Sequence, residues 1–211
     1  MREWDYYFIT DSKLTPSDIF NDARFAIEAG CKVVQYREKE KPREEMMKEA
    51  KLLRALCMGK ADFIVNDSIE VCVASDADGV HIGQGDAGLS EARRLLPKKI
   101  IGVTVHNLEE ALEAEKGGAD YVGASPIFST RTKKDAGDPA GPELLRLLRK
   151  NISIPIVAIG GINFDNLESV ILAGADSAAM ISAVLSDGKV SEDVKQARSV
   201  MLNAKAHKLS H

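Results

Sequence analysis

The sequence predicts a single-domain α/β protein, a (β/α)8 TIM barrel over residues 1–211. Three observations carry that prediction. Short β-branched runs alternate with amphipathic stretches, several helix-to-strand joints share a small-residue pattern, and no second composition zone interrupts the chain. Eight parallel strands with short αβ turns close most naturally into such a barrel, here trimmed close to the roughly 200-residue lower limit of the fold.

The strands are expected at 6–10, 32–38, 62–66, 79–83, 100–105, 121–123, 156–159 and 177–181. Helices are expected at 16–29, 43–57, 69–75, 90–96, 108–116, 142–150, 165–172 and 191–204, followed by a loosely held tail at 205–211. Four joints, Glu28-Ala-Gly-Cys, Ser75-Asp-Ala-Asp-Gly, Gly117-Gly-Ala-Asp and Ala173-Gly-Ala-Asp, form a weak internal repeat. In three of them a glycine follows the last helical turn, where a left-handed cap costs least. The structural rival is an open doubly wound sheet, but the first βα turn, Thr10-Asp-Ser-Lys-Leu-Thr, lacks the G-x-G-x-x-G of a dinucleotide fold. No Walker A motif is present either.

Composition narrows the function. The chain is 45% hydrophobic with a formal net charge of −4, and its cations are scattered, so no nucleic-acid partner is expected. Cys31, Cys57 and Cys72 are odd in number and lack C-x-x-C spacing, which argues against a disulfide framework. Glu3 and Asp5 stand where a signal peptide needs an apolar core, and no apolar run is long enough to cross a bilayer. We expect a cytoplasmic protein without a membrane partner, whose self-association the sequence leaves open.

In a barrel the chemistry sits at the C-terminal strand ends and in the βα loops. The second strand reads Val33-Val-Gln-Tyr-Arg-Glu-Lys39, and the two-residue period puts Val33, Gln35, Arg37 and Lys39 on one face. Two cations and an amide therefore reach one mouth, suited to a diphosphate and a hydrogen-bonding ring. The third strand ends in Asn66-Asp67, which alone is an ordinary helix cap. Asp86 in the next loop supplies a second carboxylate, and such a pair suits Mg²⁺, which takes one or two carboxylates plus waters and substrate phosphates. His81 can face the same mouth or simply pack.

Further along, Gly102, Thr104 and His106 share a face of the fifth strand; His106 or Asn107 can open the following helix. The longest connection, residues 126–141, carries Thr130, Thr132 and Lys133, with Gly137 and Gly141 placed to let it close as a lid. Gly160 and Gly161 after the seventh strand allow backbone close to an anion, Asp165 can cap the next helix, and Met180-Ile-Ser-Ala183 follows the eighth. The loops after strands seven and eight often hold phosphate in barrels. Two anion sites are thus expected, one cationic and metal-assisted, one neutral and amide-lined.

Six blocks then match a family in order and spacing: Val34-Gln-Tyr-Arg-Glu-Lys39, Asn66-Asp67, residues 77–86, Gly102-Val-Thr-Val-His106, residues 123–135, and Ala158-Ile-Gly-Gly-Ile162 with Met180-Ile-Ser-Ala183. Along nearly its whole length the chain resembles the thiamine phosphate synthases. The resemblance implies a Mg²⁺-dependent transferase joining 4-amino-2-methyl-5-hydroxymethylpyrimidine diphosphate to 4-methyl-5-(2-phosphoethyl)thiazole, with thiamine phosphate and pyrophosphate as products. It implies Asp67 and Asp86 as metal ligands, and Arg37, Lys39, Asn66 and Lys133 on the diphosphate. Gln35 and Thr104 would meet the pyrimidine, Thr130 and Thr132 match loop hydroxyls, and Gly161, Ile181 and Ser182 match the thiazole-phosphate site. Lys133, Arg37 and Thr104 would be the catalytic residues. Thr104 stands where Ser is expected in many members, and Tyr36 replaces a more usual Leu, for which a packing effect is expected. A thiazole tautomerase type of barrel would need no diphosphate set, a non-catalytic phosphate-binding barrel no metal and leaving-group site. A sugar-phosphate isomerase would need an acid/base pair that the sequence does not offer.

Overall fold

A computed structural model describes residues 4–85, 88–130 and 137–209. Its strands are β1 (Tyr7–Ile9), β2 (Val33–Tyr36), β3 (Asp62–Asn66), β4 (Gly79–Ile82), β5 (Ile100–Val105), β6 (Tyr121–Ala124), β7 (Ile156–Ile159) and β8 (Ser177–Ala179). The helices between and after them are α1 (Ile19–Glu28), α2 (Arg43–Cys57), α3 (Ile69–Ala74), α4 (Leu89–Leu95), α5 (Leu108–Lys116), α6 (Gly141–Asn151), α7 (Leu167–Leu172), α8 (Ser182–Leu185) and α9 (Val190–Leu209). The strands pair in sequence order, all parallel, and an isolated parallel bridge from Tyr6 to Ala178 joins the last to the first. The predicted barrel is present.

Elements β3, β5, β7, α2 and α5 have the expected bounds. α1 starts later because Asp18, not Pro16, opens it: its carboxylate accepts from Phe20 N at 2.9 Å and Asn21 N at 2.8 Å. β8 stops at Ala179 because the chain turns at once into α8, a short helix the sequence reading did not separate from the strand end. α9 continues past 204 to Leu209, so the tail expected to be loose is helical through that residue. Ala204 is fully buried, and Lys205 Nζ lies 3.6 Å from Asp5 Oδ1, which fastens this last stretch.

The internal repeat has a structural meaning. Gly30, Gly118 and Gly174 take positive φ of 95°, 83° and 124° just past their helices, and Asp76 takes the same place at 51° in the fourth joint. Each returns the chain with the same paired backbone bonds, for example Gly118 N to Glu115 O at 3.0 Å and Ala119 N to Ala114 O at 2.9 Å. The aspartate that follows then faces back. Asp78, Asp120 and Asp176 accept at 2.8 Å from the amides of Phe63, Ile101 and Ile156, and pair with Arg54, Arg93 and Arg149 at 3.1, 2.7 and 2.9 Å. One arginine on every second helix thus ties the lower rim, away from the mouth.

Two apolar layers follow from strand alternation. Outward residues such as Phe8, Val34, Val65 and Val122 pack under the helices, and inward ones, Tyr7, Ile9, Val33, Ile64, Ile100, Tyr121, Val157 and Ala179, fill the barrel. Trp4 closes the floor, its ring edge-on to Tyr7 at 5.6 Å and Tyr121 at 5.1 Å, with Nε1 donating to Asp62 Oδ2 at 2.9 Å. Glycines on three neighbouring strands make room for this filling. A Cβ on Gly79 would lie 2.2 Å from Ile100 O, one on Gly102 2.0 Å from the Tyr121 ring, and one on Gly123 2.9 Å from His81 Cε1. Cys31, Cys57 and Cys72 are free and buried, and burial pushes their thiols up, Cys31 to about 11 and the other two to about 12, so none is a ready nucleophile. Among the described residues no helix is long and apolar enough to cross a membrane.

At Gly79 the obstructing atom is a backbone carbonyl that cannot rotate away. Gly79→Ala should therefore lower stability by about 1–3 kcal/mol in urea unfolding, the usual cost of overpacking; an unchanged midpoint would contradict this fit.

Candidate active site

A cavity of about 400 Å³ opens at the C-terminal ends of the strands. Gln35, Arg37, Lys39, Asn66, Asp67, Thr104, Thr130, Gly161, Ile181 and Ser182 all line it. The structure therefore brings together ten of the residues singled out by sequence. Asp86, Thr132 and Lys133 lie outside the described residues.

The β2 side is the cationic wall, and neighbouring groups hold its cations in place. The Arg37 guanidinium lies 3.2 Å from Asp11 Oδ2, and its backbone N–H donates to the buried Thr10 hydroxyl at 3.0 Å. The Glu38 carboxylate points away from the cavity, accepting from the amides of Lys39 at 2.8 Å and Glu40 at 2.9 Å and from the Ser12 hydroxyl at 2.8 Å. Burial alone would raise its pKa, but these donors and the Lys41 ammonium together hold it below the ordinary 4.5. Tyr36, expected to act through packing, also acts through its hydroxyl: it donates to Glu49 Oε2 on α2 at 2.7 Å, and Lys41 Nζ meets the other Glu49 oxygen at 2.5 Å.

Lys39 reaches across to the Asp67 carboxylate and pairs with it. Asp67 is not the cap of the next helix. Ser68 is, its hydroxyl accepting from Val71 N at 3.2 Å, while Asp67 takes a left-handed φ of 63° with its amide bonded to His81 O at 2.7 Å. A non-glycine residue held in that region by its surroundings is a common mark of a working site. The strand-end turn thereby presents the carboxylate to the cavity instead of to the helix.

On the opposite side Gly160 and Gly161 take φ of 99° and 62°. Their glycine requirement has a closer cause than an anion. Added Cβ atoms would meet Pro126 at 2.8 Å and Ser129 O at 2.4 Å, because the loop after β6 crosses directly over this turn. That loop is tied at its neck by Ile127 N to Ile159 O at 2.9 Å, Phe128 N to Gly160 O at 3.0 Å and Gly141 N to Ile127 O at 3.0 Å. Gly137 and Gly141, expected as hinges, both have positive φ, 78° and 70°. Asp165 does not cap α7. Asn166 holds the cap position, its side chain instead bridging Asn163 N at 2.9 Å and Gly161 O at 3.1 Å, which steadies the glycine turn.

The floor of the cavity is polar in a way that sequence reasoning missed. Gln35 Nε2 donates to the Tyr7 hydroxyl at 3.0 Å, Tyr7 and Tyr121 share a hydrogen bond at 2.6 Å, Tyr121 meets His81 Nδ1 at 2.9 Å, and His81 Nε2 meets Thr104 Oγ1 at 2.9 Å. Burial pushes both phenols well above their ordinary range, so both keep their protons. His81 is thus both alternatives at once, a buried and satisfied residue that also lines the cavity. His106 lines it too, its Nδ1 2.9 Å from Glu110 Oε2, while Asn107 caps α5. Nothing in the strand pattern marked Tyr7 or Tyr121, since an inward aromatic reads as core.

Known proteins resemble the chain along most of its length. Residues 6–184 match the profile of the family described as thiamine monophosphate synthase. The thiamine-phosphate synthase of Methanosarcina barkeri is 52% identical over 196 residues, covering 92% of this chain and 89% of that one. That of Chloroflexus aurantiacus is 46% identical, with 94% and 93% covered. The solved thiamine phosphate pyrophosphorylase from Pyrococcus furiosus superposes with a TM-score of 0.89 at 41% identity, covering 96% of this chain and 97% of its own.

Glu38 predicts a pH dependence. Because its pKa is depressed on folding, its contribution is full above the unfolded value of about 4.5 and is lost as pH falls through the folded value. In urea unfolding the stability gap between wild type and Glu38→Gln should be constant at neutral pH and shrink on acidification below about 4.5; a gap that persists unchanged to pH 3 would contradict the role.

Proposed function

This chain belongs to the thiamine monophosphate synthase family, as a transferase, and on that premise we propose that it joins an aminopyrimidinylmethyl diphosphate to a thiazole phosphate to give thiamine phosphate and pyrophosphate. The observation that carries this reading is the two-sided cavity. Cations and a carboxylate stand on the β2–β3 side, and a glycine turn with Ser182 stands on the β7–β8 side. One end suits a departing diphosphate, the other a phosphate that stays. Phosphorylated small molecules are the partners; a cytoplasmic setting accords with three unpaired thiols.

In the proposed reaction the bond from the pyrimidine methylene carbon to the diphosphate oxygen breaks, the electron pair leaving with pyrophosphate. The electron-rich aminopyrimidine spreads the resulting positive charge, and the thiazole nitrogen lone pair then forms the new carbon–nitrogen bond. No strong base is needed. Arg37 and Lys39 stabilise charge on the leaving group, Gln35 and Thr104 hold the pyrimidine, and Gly161, Ile181 and Ser182 hold the thiazole phosphate. Asn66 and Lys133 would add donors to the diphosphate, and Thr130 and Thr132 would add hydroxyls.

The residues fit Mg²⁺. Asp67 is an oxygen donor turned into the cavity by its left-handed backbone and balanced there by the half-exposed Lys39 ammonium. A hard cation that takes one or two carboxylates and completes its shell with phosphate oxygens suits that donor, and Asp86 is proposed as the second. When bound, Mg²⁺ would neutralise charge on the diphosphate. Lys39 would then be released from Asp67 to the same anion.

The test is a mass-spectrometric assay for thiamine phosphate with both substrates and Mg²⁺, and with each component omitted in turn. Product only in the complete mixture is expected. Asp67→Ala should raise the Mg²⁺ concentration for half-maximal rate by about tenfold or more, the scale of losing a charged ligand. Folded protein that forms no product would overturn the reading, and an unaltered metal titration would remove Asp67 from the metal.

A further inference from the structure

Five side chains cross the barrel as one hydrogen-bonded chain: Gln35, Tyr7, Tyr121, His81 and Thr104, with links of 3.0, 2.6, 2.9 and 2.9 Å. Its two ends line the cavity, while Tyr7 and Tyr121 are buried beneath it at 0% and 1% exposure. Each inner member passes on a single hydrogen. A phenol has one to give, and a neutral imidazole carries one on either Nδ1 or Nε2. When each of these hydrogens stays within the chain, the direction of one link sets the others.

With Gln35 Nε2 donating to Tyr7, the phenol hydrogen of Tyr7 goes to Tyr121, that of Tyr121 goes to His81 Nδ1, and the imidazole hydrogen sits on Nε2 and goes to Thr104. The amide oxygen of Gln35 is then its group for the cavity, as an acceptor. Thr104, already receiving a hydrogen from His81, offers its own as a donor. Turning the Gln35 amide over reverses every link and exchanges the two roles. With Gln35 Nε2 turned to Tyr7, the chain thus leaves the Gln35 amide oxygen as an acceptor and the Thr104 hydroxyl as a donor. Local volume preserves the arrangement: a Cβ at Gly102 would strike the Tyr121 ring and one at Gly123 the His81 ring.

We propose that Tyr7, Tyr121 and His81 are positioning residues that lock the polarity of Gln35 and Thr104 together, so that the cavity selects a pyrimidine offering an exocyclic amine donor beside a ring-nitrogen acceptor. The proposal rests on the pyrimidine reading above and deepens it to a rule of specificity. A 4-oxo pyrimidine reverses both groups, since its oxygen accepts and its ring N–H donates. Either end could adapt to that substrate alone; the chain makes adapting one end require reversing all of it.

Two measurements test the relay. Nitrogen-15 NMR of His81 reads the tautomer without any turnover, and in wild type the hydrogen should sit on Nε2, with Nδ1 bare. In Tyr121→Phe, which removes the middle hydroxyl and with it two of the four links but alters neither Gln35 nor Thr104, that preference should weaken to a mixture. Turnover supplies the second readout, as the ratio of kcat/KM for the 4-amino diphosphate over its 4-oxo analogue. The ratio should fall about tenfold or more in Tyr121→Phe, because an analogue mispaired in a hydrogen-bonding site is otherwise strongly rejected. KM for the thiazole phosphate should stay within about twofold of wild type, which a general loss of packing would not leave untouched. Tyr7→Phe repeats the test at the other link should the first variant fold poorly. An Nδ1–H tautomer in wild type would overturn the assigned polarity of Gln35 and Thr104 and with it the proposal, and an unchanged amino-to-oxo ratio in a folded variant would overturn the relay. Absence of thiamine phosphate with the Nε2–H tautomer intact would instead count against the reaction and leave the relay standing.

Discussion

A phenol or imidazole placed inside a barrel must find a hydrogen-bond partner there, because leaving it unpaired costs about 1–3 kcal/mol. In this protein that requirement joins opposite walls. Tyr7 on β1 and Tyr121 on β6 satisfy one another at 2.6 Å, and the chain they belong to reaches Gln35 on β2 and Thr104 on β5. Below it the filling is apolar down to Trp4, and above it charged and amide groups join the aliphatic side chains that line the cavity. The chain is the boundary between a core that holds the fold and the mouth at which the chemistry is proposed. Glycines at 102 and 123 exist to seat it, so the strand sequence and the site share one steric solution.

Above that boundary the mouth is divided. The β2 loop is fixed by Thr10, Asp11 and a Glu38 turned away from the cavity, which leaves Arg37 and Lys39 as the groups that face the cavity. The β7 turn is fixed by the crossing loop from β6 and by Asn166. The proposed diphosphate end and the proposed monophosphate end thus rest on separate supports. For a substitution in which one anion departs and the other remains, this separation lets the leaving group be stabilised without loosening the retained one.

Much of this was legible in the amino-acid order, for a physical reason. A strand has a period of two whatever its surroundings, so Gln35, Arg37 and Lys39 could be assigned to one face from spacing alone, and all three line the cavity. The joints at Gly30, Gly118 and Gly174 were legible because a left-handed residue is cheapest as glycine. Other features were not. Asp67 looks like a helix cap because its role depends on a backbone angle, and a side chain's local hydrogen-bonding habits do not reveal which of two adjacent residues takes it. The part of Tyr7 and Tyr121 in the site depends on two strands far apart in the chain meeting across the barrel, information that no single segment contains. The Gly160–Gly161 turn was singled out for an anion, whereas the structure gives its glycines a steric reason, since the loop crossing above it is a tertiary fact.

The claim on which the account rests is that one cavity holds two anions at opposite ends. A crystal structure of the protein with thiamine phosphate, pyrophosphate and Mg²⁺ tests it most directly. The account predicts pyrophosphate and the metal against Arg37, Lys39 and Asp67, the monophosphate against Gly161 and Ser182, and the pyrimidine between Gln35 and Thr104. Pyrophosphate bound at the glycine turn, or a pyrimidine that touches neither end of the buried chain, would contradict it.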